Sequence, residues 1–120
     1  MAGKIIADQL QNTTVGTIDT KWLIEGSAKS WCRFSQAGSH SFVDSWNYSS
    51  ITDMAVGQSR ITLTNSMSSS NYAIWTHDWS YGNGWSDSMT TNGYDMRRRN
   101  ESAAYLDVTV VWSSVIGDLA

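Results

Sequence analysis

With 120 residues, 16% of them charged, and a net charge of −3, the chain has room for one ordinary domain. It lacks the basic balance that a nucleic-acid or anionic-membrane partner demands. Its one cysteine, Cys32, excludes an internal disulfide, and no apolar run approaches the roughly 20 residues of a membrane-spanning helix.

From the N-terminus, the opening MAGKIIADQLQN has no apolar stretch of the roughly 7–15 residues that a secretory leader needs, so synthesis without export by that route is expected. A short strand is predicted over 4–8. The first 27 residues are otherwise rich in Thr, Gly and Asp, with only Trp22, Leu23 and Ile24 as an apolar anchor. They read as an extended N-terminal arm (1–27) that reaches away from the main sandwich or crosses to a neighbour, ahead of a β-sandwich domain (28–120).

Beyond the arm, period-two alternation recurs and no helical period of useful length is seen. Over 28–34, Ala28, Ser30, Cys32 and Phe34 point one way and Lys29, Trp31 and Arg33 the other. Residues 40–48 form a candidate strand with Phe42 out of phase with Val43. Over 59–65, Ile61 and Leu63 mark the core side. Over 72–79, Ala73, Trp75, His77 and Trp79 share one face, and Tyr72, Ile74 and Thr76 the other. Over 104–112, Ala104, Leu106, Val108, Val110 and Trp112 share a face, with Ile61, Leu63, Leu106, Val108 and Val110 expected in the core. Turn signals separate these runs at 37–39, 53–58, 66–71, 82–84 and 92–93. The pattern predicts an all-β chain, an antiparallel β-sandwich of jelly-roll-like kind, with no helix beyond a single turn. The 19 Ser and 11 Thr supply surface polarity in the way half-exposed strands favour. No proline blunts a strand edge, which points to edges protected by neighbouring subunits.

Candidate chemistry is sparse. No HExxH, CxxC or GxSxG spacing occurs. His40 and His77 read as locally bonded structural side chains, and Cys32 as a small core filler. The nine Asp residues form no calcium-loop pattern, so neither a metal nor a cofactor is expected. Arg97, Arg98 and Arg99 form the one charge run, and at least one of its faces should be wet or meet carboxylates. The segment 75–85 gathers Trp75, Trp79, Tyr81 and Trp85 around Gly82, Asn83 and Gly84. Aromatic rings beside Asp78 and Asn83 suit either a sugar or an assembly interface. Trp75, Trp79, Tyr81, Trp85, Asp78 and Asn83 are therefore the candidate contact surface, with Trp79 and Trp85 expected to meet across a hairpin. A glycan hydrolase would need a carboxylate pair there, for which Asp78 and Asp87 are the candidates.

Several segments also carry a family likeness. GSAKSWCRF at 26–34, SWNYSSITD at 45–53, Gly57, TLTNSM at 62–67 and NYA at 71–73 follow one another in order. They resemble a small β domain of tailed-bacteriophage virion proteins, of the tail-fibre type, that reads roughly GSAKAWVNF, SxNVSSITDxGxG, a Thr-rich strand ending in Met, then NYA. YLDVTVVW at 105–112 is similar to that family's last strand, which would make 96–100 the strand before it. The likeness spans roughly 26–112. It departs at Cys32 and Tyr48, each replacing Val, at Ser68, which replaces Pro, and through the Trp-rich stretch 75–85. It implies a non-enzymatic virion structural protein, made in the host cytoplasm: a homotrimeric fibre or receptor-binding module that contacts other virion proteins or a host surface glycan. A capsid decoration (cement) protein is the alternative, and a carbohydrate-active module the third.

Overall fold

A computed structural model describes residues 3, 6–79 and 82–120, with the backbone alone at 82 and 83. The chain is all-β with one short helix. A hairpin of β1 (Gln9–Asn12) and β2 (Gly16–Asp19) comes first. Its turn is held by Asn12 Oδ1, which accepts from the amides of Thr14 and Val15 at 2.8 and 3.1 Å. Helix α1 (Thr20–Gly26) follows. These seven residues correct the expectation of no helix beyond a single turn. Three consecutive apolar residues, Trp22 to Ile24, are too short a run to display a helical period. Of the strand expected over 4–8, residues 4 and 5 lie outside the described residues, and pairing begins only at Gln9.

Two four-stranded antiparallel sheets make the sandwich. Sheet 1 holds β3 (Ala28–Ser35), β4 (Ser41–Trp46), β7 (Ala73–Asp78) and β10 (Val111–Ile116) in the order β4-β3-β10-β7. Sheet 2 holds β5 (Tyr48–Ala55), β6 (Gln58–Leu63), β8 (Gly82–Thr90) and β9 (Gly93–Asn100) in the order β5-β6-β9-β8. The single strand expected over 40–48 is two strands in different sheets. The chain crosses between them at Asn47, whose φ is 62°. At Gly57, φ is 66° and an added Cβ would sit 2.7 Å from the Arg98 carbonyl oxygen and 2.8 Å from the Leu106 nitrogen, so only glycine fits this turn.

The core between the sheets holds Cys32 and Phe34 from β3, Val111 and Val115 from β10, Ile61 and Leu63 from β6, and Tyr94 and Met96 from β9. A chain of hydroxyls crosses it. Ser30 Oγ donates to Tyr48 OH at 2.9 Å, Tyr48 OH pairs with Tyr94 OH at 2.9 Å, and Tyr94 OH pairs with Ser113 Oγ at 2.6 Å. Each polar atom in this run has a partner, as burial requires.

Three further expectations are corrected. The C-terminal strand begins at Val111, and most of 104–110 is irregular. Val108 is buried as expected, but Leu106 is 40% exposed, Val110 is half-buried and Trp112 faces outward. The turn expected at 82–84 is the start of β8, and β7 and β8 lie in different sheets, so no hairpin brings Trp79 to Trp85. Lys29, expected to point outward, is buried. Its Nζ folds back to donate to the Ile24 and Ser27 carbonyl oxygens and to Ser27 Oγ, holding the last turn of α1 on β3.

The hairpin and helix stand off the sandwich. All of β1 and β2 is exposed and no residue of α1 is buried. The Cα radius of gyration is 16.9 Å, against about 13.6 Å for a compact chain of this length. Among the described residues, no helix is long and apolar enough to cross a membrane.

Burial sets an alkaline limit on the fold. It pushes the Cys32 thiol from 9.0, and the Tyr48 and Tyr72 hydroxyls from 10.0, up to about 12, and drives Tyr94 well upward too. The folded chain thus holds protons that the unfolded chain releases at lower pH. Stability should be intact below about pH 9 and fall as pH rises towards 12. Urea melts across this window should show the loss coinciding with tyrosinate absorbance, with Cys32 unreactive towards thiol reagents until unfolding. Early, gradual ionisation of Tyr48, Tyr72 and Tyr94 would contradict it.

Candidate functional site

Alternation along a strand sends neighbouring side chains to opposite faces, so the core positions determine what each sheet shows outside. In sheet 1, with Cys32, Phe34, Val111 and Val115 inward, Trp31, Trp46, Trp75 and Trp112 are left outward. Strand register lines them up. Trp46 lies opposite Trp31, Trp31 opposite Ser114, and Ser114 opposite Trp75. In the next row Asp44 lies opposite Arg33, Arg33 opposite Trp112, and Trp112 opposite His77. His77 and Trp112 stack with ring centroids 6.0 Å apart and planes at 22°. Trp79, just past β7, is 80% exposed. Together the five tryptophans present on the order of 600 Å² of aromatic surface. That matches the largest apolar patch of a typical monomer and approaches the ~800 Å² one partner contributes to a stable interface.

The outer face of sheet 2 is its opposite. Arg60 makes a bidentate pair with Asp95, Nε to Oδ1 at 2.7 Å and Nη2 to Oδ2 at 2.9 Å. This pairing holds the Asp95 carboxyl below its ordinary range. Arg97 pairs with Asp87 at 2.9 Å and donates to Gln58 Oε1 at 3.2 Å. Trp85 packs here, 6.3 Å from the Tyr105 ring, with the Arg99 guanidinium 5.1 Å from its own ring and 4.5 Å from that of Tyr105. The neighbouring Arg97 and Arg99 hold the Tyr105 hydroxyl below its ordinary value. This is a solvated, ion-paired face.

The expected contact set is therefore divided. Trp75 and Trp79 lie on the tryptophan face, and Trp85 on the opposite sheet. Asp78 belongs to no outer face. It is 7% exposed and points inward, where its Oδ2 lies 2.6 Å from Arg98 Nε. Tyr81 lies outside the described residues, and so does the side chain of Asn83, whose backbone pairs with Arg99. Of the arginine run, Arg98 is fully buried, while Arg97 and Arg99 meet Asp87 and Tyr105 on the wet side. Trp31, Trp46 and Trp112 were not in the expected set. For Trp31 the signal was present, since it alternates with Cys32 and Phe34.

The residues of catalytic type are committed elsewhere. Asp78 and Asp87 are both ion-paired to arginines. His40 Nδ1 lies 3.0 Å from Ser59 Oγ, and Asp53 and Asp107 carboxylates lie 3.5 and 3.6 Å from His40 Nε2. Yet Ser59 is fully buried and also accepts from Gln36 Nε2 at 2.9 Å, so no substrate reaches its hydroxyl. Among the described residues, no group of three or more His, Cys, Asp or Glu side chains is gathered to hold a metal ion. No protein-family model matches this chain, and no curated protein or solved structure is significantly similar to it.

Proposed function

We propose that this chain is a non-enzymatic structural module of a bacteriophage particle, of the fibre or receptor-binding kind, which joins copies of itself as a homotrimer through the outer face of sheet 1. The observation that carries the reading is the contrast between the two outer faces. Sheet 2 presents paired arginines and aspartates to water. Sheet 1 presents Trp31, Trp46, Trp75 and Trp112, exposed by 37–75%. Large aromatic side chains cluster where proteins meet partners. The virion assignment is supported by the likeness of 26–112 to the phage β domain, with no proline on any strand edge.

A second reading, a capsid decoration protein, is favoured by the arm. Trp22, Leu23 and Ile24 on α1 are 47–62% exposed, with Val15 at the hairpin tip 85% exposed. An arm with this much uncovered apolar surface suits docking onto a shell.

Light scattering at tens of micromolar should give the mass of a trimer. Trp31→Ser with Trp46→Ser should yield a monomer whose melting temperature falls by only a few degrees, because exposed positions contribute about 0.5 kcal/mol or less. A monomeric wild-type chain would overturn the reading. Immunogold labelling of particles separates the two locations, at the tail tip or over the capsid shell.

A further inference from the structure

The hairpin and α1 carry an apolar surface of their own, left uncovered by the described residues. Leu10 and Ile18 lie opposite one another across the β1–β2 ladder and so share one face of the hairpin. They are exposed by 46% and 41%. On α1, Lys21 and Glu25 pair along one ridge at 3.9 Å. The helical period then sets Leu23 on the opposite side, with Trp22 and Ile24 flanking it. A lone two-stranded hairpin is marginal in water, and so is a helix shorter than about 12 residues. This arm joins the two, buries no residue of either, and is tied to the sandwich through Lys29. We propose that a second copy of the chain holds it: the arm of one copy lies across the tryptophan face of the next. The inference rests on the trimer reading above and names the surface that meets that face.

Three observations select the tryptophan face as the arm's seat. The first is symmetry. In a closed ring of three, each contact joins two unlike patches, whereas a patch that meets itself makes a two-fold dimer. The tryptophan face therefore needs a different patch opposite it, and the arm supplies one. The second is area. Leu10, Ile18, Trp22, Leu23 and Ile24 are exposed by 41–62% and present on the order of 600 Å² of apolar surface, as the tryptophans do. Covered together, the two bury about 1,200 Å², which reaches the size of a specific, stable interface. The third is dimension. Helix α1, of seven residues, is about 10 Å long. Trp46 and Trp75 stand three strand spacings apart in sheet 1, about 14 Å, so the helix fits across the strands between them. The outer face of sheet 2, laced with arginine–aspartate pairs, offers the arm no such seat.

The test mixes two full-length variants. The face variant carries Trp31→Ser with Trp46→Ser and keeps its arm. The arm variant carries Trp22→Ser with Ile24→Ser and keeps its face. All four positions are exposed, so both chains should keep the β circular dichroism of the wild type. Each variant alone should be a monomer by light scattering where the wild type is a trimer. The isotope-labelled arm variant is then titrated with unlabelled face variant at millimolar concentration and followed by NMR. The indole N–H signals of Trp31, Trp46, Trp75 and Trp112 should shift and that of Trp85, on the other sheet, should stay. The mixture should stop at a heterodimer, because one intact arm and one intact face make a single contact. Titration with a chain carrying all four substitutions should shift nothing. An arm variant that stays trimeric overturns the inference and keeps the trimer reading; if it also fails to attach to capsids, the arm belongs to the decoration reading instead. Absent indole shifts, or equal shifts with the quadruple variant, overturn the inference too. A monomeric wild type sinks the trimer reading and this inference with it.

Discussion

Asp78→Ala should destabilise the fold by about 3–5 kcal/mol, read as a lower urea midpoint at unchanged slope. Arg98 is fully buried and its Nε meets Asp78 Oδ2 at 2.6 Å. The guanidinium also donates through Nη1 to the Arg99 carbonyl oxygen at 2.5 Å. Removing the carboxylate leaves a buried positive charge without its counter-ion. Asp78→Asn keeps an acceptor in place and should cost less. Replacing the pair together, Asp78→Leu with Arg98→Met, should recover most of the loss, because two buried charges are costly to desolvate even when paired. The pair joins β7 of sheet 1 to β9 of sheet 2. A cost under about 1 kcal/mol would mean that Arg98 escapes to solvent.

Phe34→Ala should cost a comparable 3–5 kcal/mol, while Leu106→Ala should cost less than about 1. Phe34 is fully buried at the centre of sheet 1 and meets Phe42 edge-on at 6.5 Å. Its removal loses both transfer free energy and the contacts of the surrounding core. Leu106 is 40% exposed in the irregular segment before β10. Thermal or urea melts of the two variants side by side check the inner face of β3 and the irregular path of 104–110 at once. Equal costs would place Leu106 in the core and contradict the fold.

These energetics bear on function. The core is closed by its own residues, including the Ser30, Tyr48, Tyr94 and Ser113 hydroxyl chain, so the outward tryptophans are not needed to fill it. Large aromatic side chains on a face that the fold does not cover are surplus to stability. On the assembly reading proposed above they serve contact with another copy of the chain, and substitutions there should then change assembly far more than melting temperature.

Period-two alternation by itself determined the all-β class, and local chemistry determined several details. Strands β3 and β6 show their inner faces in the order of their residues, with Cys32, Phe34, Ile61 and Leu63 inward. The turn at Asn92 and Gly93 was equally legible from its Asn-Gly pair, and in the fold a Cβ added at Gly93 would collide with the Ile61 carbonyl oxygen. What alternation cannot decide is which of two faces turns inward. Along β7, hydrophobicity favours the side of Trp75 and Trp79, yet the side of Tyr72, Ile74 and Asp78 is the buried one. On that side Tyr72 and Ile74 pack with the core, and Asp78 meets the fully buried Arg98, twenty residues away in sequence. Likewise Gly82 and Gly84 read locally as a turn, but β9 supplies the ladder that draws them into β8. The tryptophan face arises from the same kind of long-range pairing. Register between β4, β3, β10 and β7 aligns residues far apart in the chain.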